Sequence, residues 1–341
     1  MEHGRPLMGN SRDGLARGPD PRRPADEDGG IGVDPHGAGR SLQRYSHEAM
    51  ATVFEVVADH PDERYAAQAA HAAFDLADRL ERELSRFLPN SDISRINRLA
   101  EGERTRVSPS TLECLLVARH AFDLTGGVFN VSIGTGLPSL EIDPEHGFVG
   151  ATGHGVSVDL GGIGKGYAVG LMAGLLEEWG LSRVLVHGGF SSMLALEPPS
   201  GADGWPLTLS DPLEPSRTLV RLAARQTAIG ASGLRKGRHI VDPRTGTPAG
   251  GRSAAWVTVP MPDIASSEAA DGPEPGAAAG AVSDALTTAF MLMRAADIEA
   301  LCAGNPGLEA WILDGFQETD SGDGRLRHFG HPRTGYTAAS S

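Results

Sequence analysis

Apolar residues recur at three- and four-residue spacing from Glu63 to Arg86, where Phe74, Leu76, Leu80 and Leu84 line up with a run of alanines. That period predicts a long amphipathic helix. Thr111 to Thr125 carries the same period and stops at Gly126-Gly127, residues suited to ending a helix. Val156 to Leu160 reads instead as a short apolar strand broken at Gly161-Gly162, and Gly166 to Trp179 as a third helix closed by Gly180. Val184 to His187, Leu207 to Leu209, Thr218 to Leu222 and Ala254 to Val259 have strand composition. Ser283 to Ala295 predicts a last long helix, and Glu309 to Leu313 a closing strand. Helices and strands alternate without strict βαβ repetition, so the expected class is α+β. No internal repeat has a fixed period.

Composition adds boundaries. Residues 1 to 45 hold nine Gly, five Pro and one aromatic, too little apolar surface to offset ordering, and are expected to form a disordered tail. Residues 262 to 280, rich in Ala, Gly, Pro and acid, read as a flexible loop inserted into a domain spanning 46 to 313. Residues 314 to 341 read as a C-terminal tail. The chain of 341 residues is 40% hydrophobic, enough for a sizeable core.

Charge narrows the function. With 30 basic against 44 acidic side chains and a net charge of -14, the chain lacks the basic surface that nucleic acid or anionic lipid requires. An anionic substrate would need a local cation or a metal ion. Cys114 and Cys302 lack disulfide-framework or metal-ligand spacing and read as small core residues. Neither an apolar signal region nor a lipid-attachment cysteine is visible near the start, and no window approaches 18 apolar residues, so a cytoplasmic location is expected.

Three segments carry candidate chemistry. Asp159 to Tyr167, DLGGIGKGY, follows a strand and opens a helix, where backbone N–H groups and the helix dipole can hold a phosphate; the plain alternative is a tight turn with no ligand. The spacing fits neither a Walker A motif nor a dinucleotide fingerprint. His239 to Gly246, HIVDPRTG, places a histidine able to act as a base near neutral pH before an Asp-Pro turn, or merely a histidine that stabilises that turn. Asp284 and Thr288, four residues apart at the start of a helix, share one face and offer a carboxylate and a hydroxyl to a hard cation such as Mg²⁺, or simply cap the helix.

Order and spacing change the odds. The chain carries in sequence Met50-Ala-Thr52, Ser85 to Asn97 (SRFLPNSDISRIN), Thr125 to Asn130 (TGGVFN), Val158 to Gly170 (VDLGGIGKGYAVG), Val186 to Gly189 (VHGG), Ala228 to Gly233 (AIGASG), HIVDPRTG, and Ser283 to Phe290 (SDALTTAF). This series resembles the ApbE family of FAD:protein FMN transferases over roughly residues 46 to 313. The resemblance implies a single α+β catalytic domain with mixed sheets and packed helices, holding FAD in a cleft between two halves. It also implies Mg²⁺-dependent transfer of FMN from FAD to a threonine hydroxyl of an acceptor flavoprotein, with release of AMP. By the same likeness, Asp284, Thr288 and the backbone carbonyl of Gly162 hold the metal, and His239 is the catalytic residue acting on the acceptor hydroxyl. FAD contacts fall on Met50, Phe87, Val128, Phe129, Asn130, Asp159, Lys165 and Ile240, with Lys165 in a positional role.

The chain departs from the family pattern at three places. Asn130 stands where the family has aspartate after phenylalanine, Phe190 where Gly-Gly-Asp is usual, and Gly170 where aspartate is common. Two alternatives therefore accompany the transferase: an FAD pyrophosphatase that yields FMN and AMP, and a flavin-binding relative without turnover, the latter favoured by Asn130 and Phe190.

Overall fold

Val56 and Val57 are both inaccessible to solvent, and so are Val184, Leu185 and Val186 further along the chain. Strands buried on both faces must lie between two layers. The computed structural model, which describes residues 31–33, 42–132, 137–233, 240–261, 273–315, 325–332 and the backbone of 335–338, shows those layers. β1 (Ile31–Val33) precedes the hairpin of β2 (Gln43–Ala49) and β3 (Thr52–Ala58), which leads into α1 (Glu63–Leu84). α2 (Asp92–Ile96), β4 (Arg104–Arg106) and α3 (Pro109–Leu124) come before β5 (Leu140–Asp143) and β6 (Phe148–Ala151). α4 (Gly164–Glu178) is followed by β7 (Val184–Gly188), β8 (Ser192–Ala195), β9 (Trp205–Ser210), β10 (Thr218–Ala224), β11 (Thr227–Gly233) and β12 (Arg252–Pro260). α5 (Pro275–Phe290), α6 (Ala295–Gly304), β13 (Glu309–Asp314), β14 (Leu326–Phe329) and β15 (Gly335–Ala338) complete the described chain.

Eight strands form the central sheet in the order β14-β13-β12-β11-β8-β7-β3-β2. Alternate residues point to opposite faces. Val56, Val186, Leu194, Val257 and Ile312 join α1, α4 and α5 in one core, while Val57, Leu185, Met193, Trp256 and Trp311 join a second sheet, β1-β9-β10-β15, in another. A register slip of one residue would exchange the two cores, so the pairing is firmly set. A small sheet, β4-β6-β5, completes the strand inventory of the described residues. The α+β class is as expected, and every described pairing is antiparallel rather than mixed.

The expected boundaries need correction. Within the segment read as a disordered tail, Ile31 is fully buried and β1 pairs with β9, while β2 already begins at Gln43. A three-residue strand supplied with a distant partner leaves no trace in average composition. At the other end, β14 pairs with β13 and β15 with β10, so part of 314–341 is strand. The loop expected over 262–280 gives way to α5 at Pro275, and the helix expected over 283–295 ends at Phe290, with α6 starting at Ala295. Val156 to Leu160 contributes one bridge, Ser132 to Val158, rather than a strand.

The Ala/Gly character of α5 has a packing reason. α4 and α5 cross antiparallel with their backbones in contact: a Cβ at Gly166 would overlap the carbonyl oxygen of Gly280, and one at Gly170 that of Gly276. A Cβ at Gly230 on β11 would stand 2.6 Å from the Ser283 carbonyl oxygen, so α5 is also pressed onto the sheet. Close packing at this density leaves no room for a methyl group.

Candidate active site

The first residue of a helix usually follows a side chain able to cap it, but α4 follows Ile163, which makes no side-chain cap hydrogen bond. The cap arrives from α5. Gly166, in the first turn of α4, donates its N–H to Asp284 Oδ2 at 2.8 Å. Ser192 Oγ, at the start of β8, lies 2.8 Å from each oxygen of the same carboxylate. Burial pushes the Asp284 carboxyl up to about 6, against the opposing pull of the Lys165 charge, the Ser192 hydroxyl and the Gly166 N–H. One turn further along α5, Thr288 Oγ1 is 3.3 Å from where a Cβ at Gly162 would stand, and the Phe129 ring 3.4 Å from the same point. Gly162, Asp284 and Thr288 thus gather at the positive end of α4, and a carboxylate, a hydroxyl and a backbone carbonyl are hard oxygen donors that fit Mg²⁺.

A cleft of about 190 Å³ runs from this helix start towards the surface. On one side lies the β2–β3 turn, whose Met50 and Ala51 have φ of 49° and 56°. A two-residue hairpin turn requires that conformation, yet neither residue is glycine, and such local strain concentrates at functional sites. On the other side are the end of α1 and the following Arg86 and Phe87, the latter residue 78% exposed. The Arg86 guanidinium stacks over the Phe87 ring at 4.5 Å and pairs with Asp159 at 3.2 Å. Asp159 also accepts the Gly161 N–H at 2.9 Å. Met50, Phe87, Asp159 and Lys165, expected to contact FAD, therefore line one cleft.

The other expected residues are placed differently. Val128 and Phe129 are buried within the helical core, and the Asn130 carboxamide oxygen closes its own loop by accepting the N–H groups of Ser132 at 2.9 Å and Leu137 at 3.2 Å. Ile240 is buried, and its carbonyl accepts the Ala249 N–H at 2.7 Å. The Asp-Pro segment is the expected turn, with Asp242 clasping Arg244 at 2.7 and 2.9 Å and Gly246 at φ 71°. His239 lies outside the described residues. Of the departures from the family pattern, Gly170 belongs to the α4–α5 crossing, and Phe190 stacks on His187, which bonds Glu55 at 2.9 Å. Sequence reasoning missed Arg86 and Ser192. An uncapped helix start at Ile163 was the available signal that a partner must come from elsewhere; nothing local pointed to Ser192.

A family model described as the ApbE family matches residues 50–138 and 135–273. Among solved structures the chain is similar to flavin transferase ApbE from Vibrio cholerae, with 18% identity and a TM-score of 0.68 over 85% of this chain and 97% of that one. It is also similar to the ApbE protein from Thermotoga maritima, with 20% identity and a TM-score of 0.68 over 85% of this chain and 97% of that one. The apo flavinyl transferase ApbE from Pseudomonas stutzeri gives 17% identity and a TM-score of 0.67 over 85% and 95% of the two chains. No curated protein matches the sequence. These structural likenesses establish the fold, and the matched sequence segments end before α5, so the placement of Asp284 and Thr288 rests on the geometry described above.

Proposed function

Because the chain belongs to the ApbE family, we propose that it transfers the FMN part of FAD to a threonine hydroxyl of an acceptor flavoprotein and releases AMP. The observation that carries this reading is the convergence of Gly162, Asp284 and Thr288 on the start of α4, beside a cleft lined by Met50, Phe87, Asp159 and Lys165. In the reaction the threonine oxygen attacks the FMN-side phosphorus, the bridging P–O bond breaks towards AMP, and the hydroxyl proton departs. Asp284, Thr288 and the Gly162 carbonyl would hold Mg²⁺, which when bound offsets the charge that develops on the phosphoryl oxygens. The residues of the chain do the rest. The positive end of α4 faces the phosphates, Lys165 keeps a positional role beside Asp284, Phe87 offers its exposed face to a flat ring, and the Met50–Ala51 turn walls the cleft. Val128, Phe129, Asn130 and Ile240 shape the surroundings from within the fold. His239 takes or orients the acceptor proton.

Among the described residues no helix is long and apolar enough to cross a membrane. The proposed setting is the cytoplasm, with FAD and an acceptor flavoprotein as partners and neither nucleic acid nor membrane insertion involved. Incubating the full chain with FAD, Mg²⁺ and a threonine-bearing acceptor should give covalent FMN. Free FMN in its place would identify a pyrophosphatase, and unchanged FAD a binding protein. His239→Ala should bind FAD within a few-fold of the parent while transferring FMN about 100-fold more slowly, the lower end of a general base's contribution. Parallel loss of affinity and thermal stability, with turnover per bound FAD unchanged, would reduce His239 to a turn residue.

A further inference from the structure

An acidic chain that binds a nucleotide needs cations in its cleft, and among the described lining residues these are Lys165 and Arg86. Lys165 is already engaged at the buried end, where its charge favours the Asp284 carboxylate. Arg86 stands at the open end. Its side chain is 44% exposed, and its only charged partner among the described residues, Asp159, is itself 30% exposed. Ion pairs this open to water are weak and readily exchanged. Asp159 would not be stranded by such an exchange, because Gly161 N–H remains bonded to it at 2.9 Å. The backbone of Arg86 is fixed by Ser94 Oγ, which donates to its carbonyl at 3.2 Å, so the side chain can turn without moving the chain. A guanidinium held over an aromatic ring keeps its N–H groups free at its own edge, and their planar fork matches phosphate oxygens in pairs.

We propose that Arg86 is the residue that binds the pyrophosphate of FAD, leaving Asp159 for the phosphate oxygens while stacked on Phe87, and that it thereby makes the cleft select a phosphorylated flavin over riboflavin. The proposal rests on the flavin reading of the cleft. It goes beyond that reading by assigning the phosphate selectivity to one side chain.

Flavin fluorescence titrations of the full chain without added Mg²⁺ test it, using FAD and riboflavin against the parent, Arg86→Ala and Arg86→Lys. Arg86→Ala should weaken FAD binding about tenfold or more, leave riboflavin within twofold, and flatten the dependence of FAD affinity on salt. Arg86→Lys should fall between, since it keeps the charge and loses the fork. Melting temperatures of both variants should match the parent, as the pair is half exposed. FAD binding by Arg86→Ala equal to the parent's, or an equal loss of FAD and riboflavin, overturns the assignment while the flavin reading stands. A parent that binds no FAD overturns both.

Discussion

The two ends of the cleft are built on opposite principles. At the inner end α4 and α5 touch through glycine backbones, the carboxylate of Asp284 on α5 is buried, and two other elements supply its partners: Gly166 from α4 and Ser192 from β8. At the outer end Phe87 lies largely in water and the Arg86 side chain nearly half so, held by a weak pair and a ring contact. The inner end is rigid because almost any change there meets backbone, and the outer end is adjustable because little depends on it. That division suits the proposed transfer, which would need a fixed inner end for the reacting groups and an adjustable outer end for substrate entry.

The comparison breaks most sharply at Gly170. Introducing there the aspartate common in the family pattern would drive a Cβ into the Gly276 carbonyl and bury a carboxylate beside it. Gly170→Asp should cost about 3 kcal/mol or more and lower the melting temperature by about 4 °C or more. A denaturant midpoint equal to the parent's would show that the helices do not cross as described. Asp284→Ala should come next, leaving the Gly166 N–H and the Ser192 hydroxyl without their acceptor at a cost of about 2 kcal/mol, and should abolish Mg²⁺-dependent turnover. Asp284→Asn retains a carbonyl oxygen for those donors, so it should recover most of the stability and none of the turnover. Turnover retained in Asp284→Asn would leave the residue a cap alone.

These contrasts also explain what the sequence made legible. α1, α3 and α4 were readable to within about two residues: α1 buries one stripe on a broad core, so its period is written locally, while Gly126-Gly127 and Gly180 mark where α3 and α4 stop. The first turns of α5 were not, since an Ala/Gly run carries no amphipathic period, and its reason lies in residues of α4 more than a hundred positions away. The glycine cluster at 161–166 showed the same limit. Read locally it was a phosphate turn or an empty one, whereas Gly166 is required by Gly280 and Gly162 sits against Thr288. Met50, Phe87, Asp159 and Lys165 were found by motif order and do line one cleft, but Arg86 was passed over because one charged residue in a polar segment has no pattern.

A smaller effect should come from the acid at the far end of the α4–α5 seam. Glu274 caps α5 by accepting the Ala277 N–H at 2.6 Å, and burial, reinforced by the nearby charges of Glu113 and Glu177, raises its carboxyl above the usual 4.5. A carboxyl whose folded value lies above its unfolded value favours folding when protonated. Its contribution is present below about pH 4.5 and is lost as pH rises through the raised value. Glu274→Gln keeps an oxygen for the cap and does not titrate. Thermal melts should therefore show the variant gaining on the parent as pH rises from 4 to 7, and parallel melting curves across that range would mean that the seam does not hold this charge under strain.

The smallest effect on stability should be at the outer end, and it is the one that sharpens the comparison most. Phe87 is 78% exposed, so its ring contributes little to the core and Phe87→Ala should change the unfolding free energy by no more than about 0.5 kcal/mol. An aromatic face left in water beside a cleft is, however, the natural surface for a planar ligand, and an offset ring stack contributes about 1 kcal/mol. FAD affinity should then fall about fivefold in Phe87→Ala with the melting temperature unchanged, the inverse of the pattern at Gly170. Fluorescence titration and calorimetry on the same preparation check both halves. If the variant melts several degrees lower instead, the ring packs against the domain, and the outer end of the cleft is structural in the same sense as the inner one.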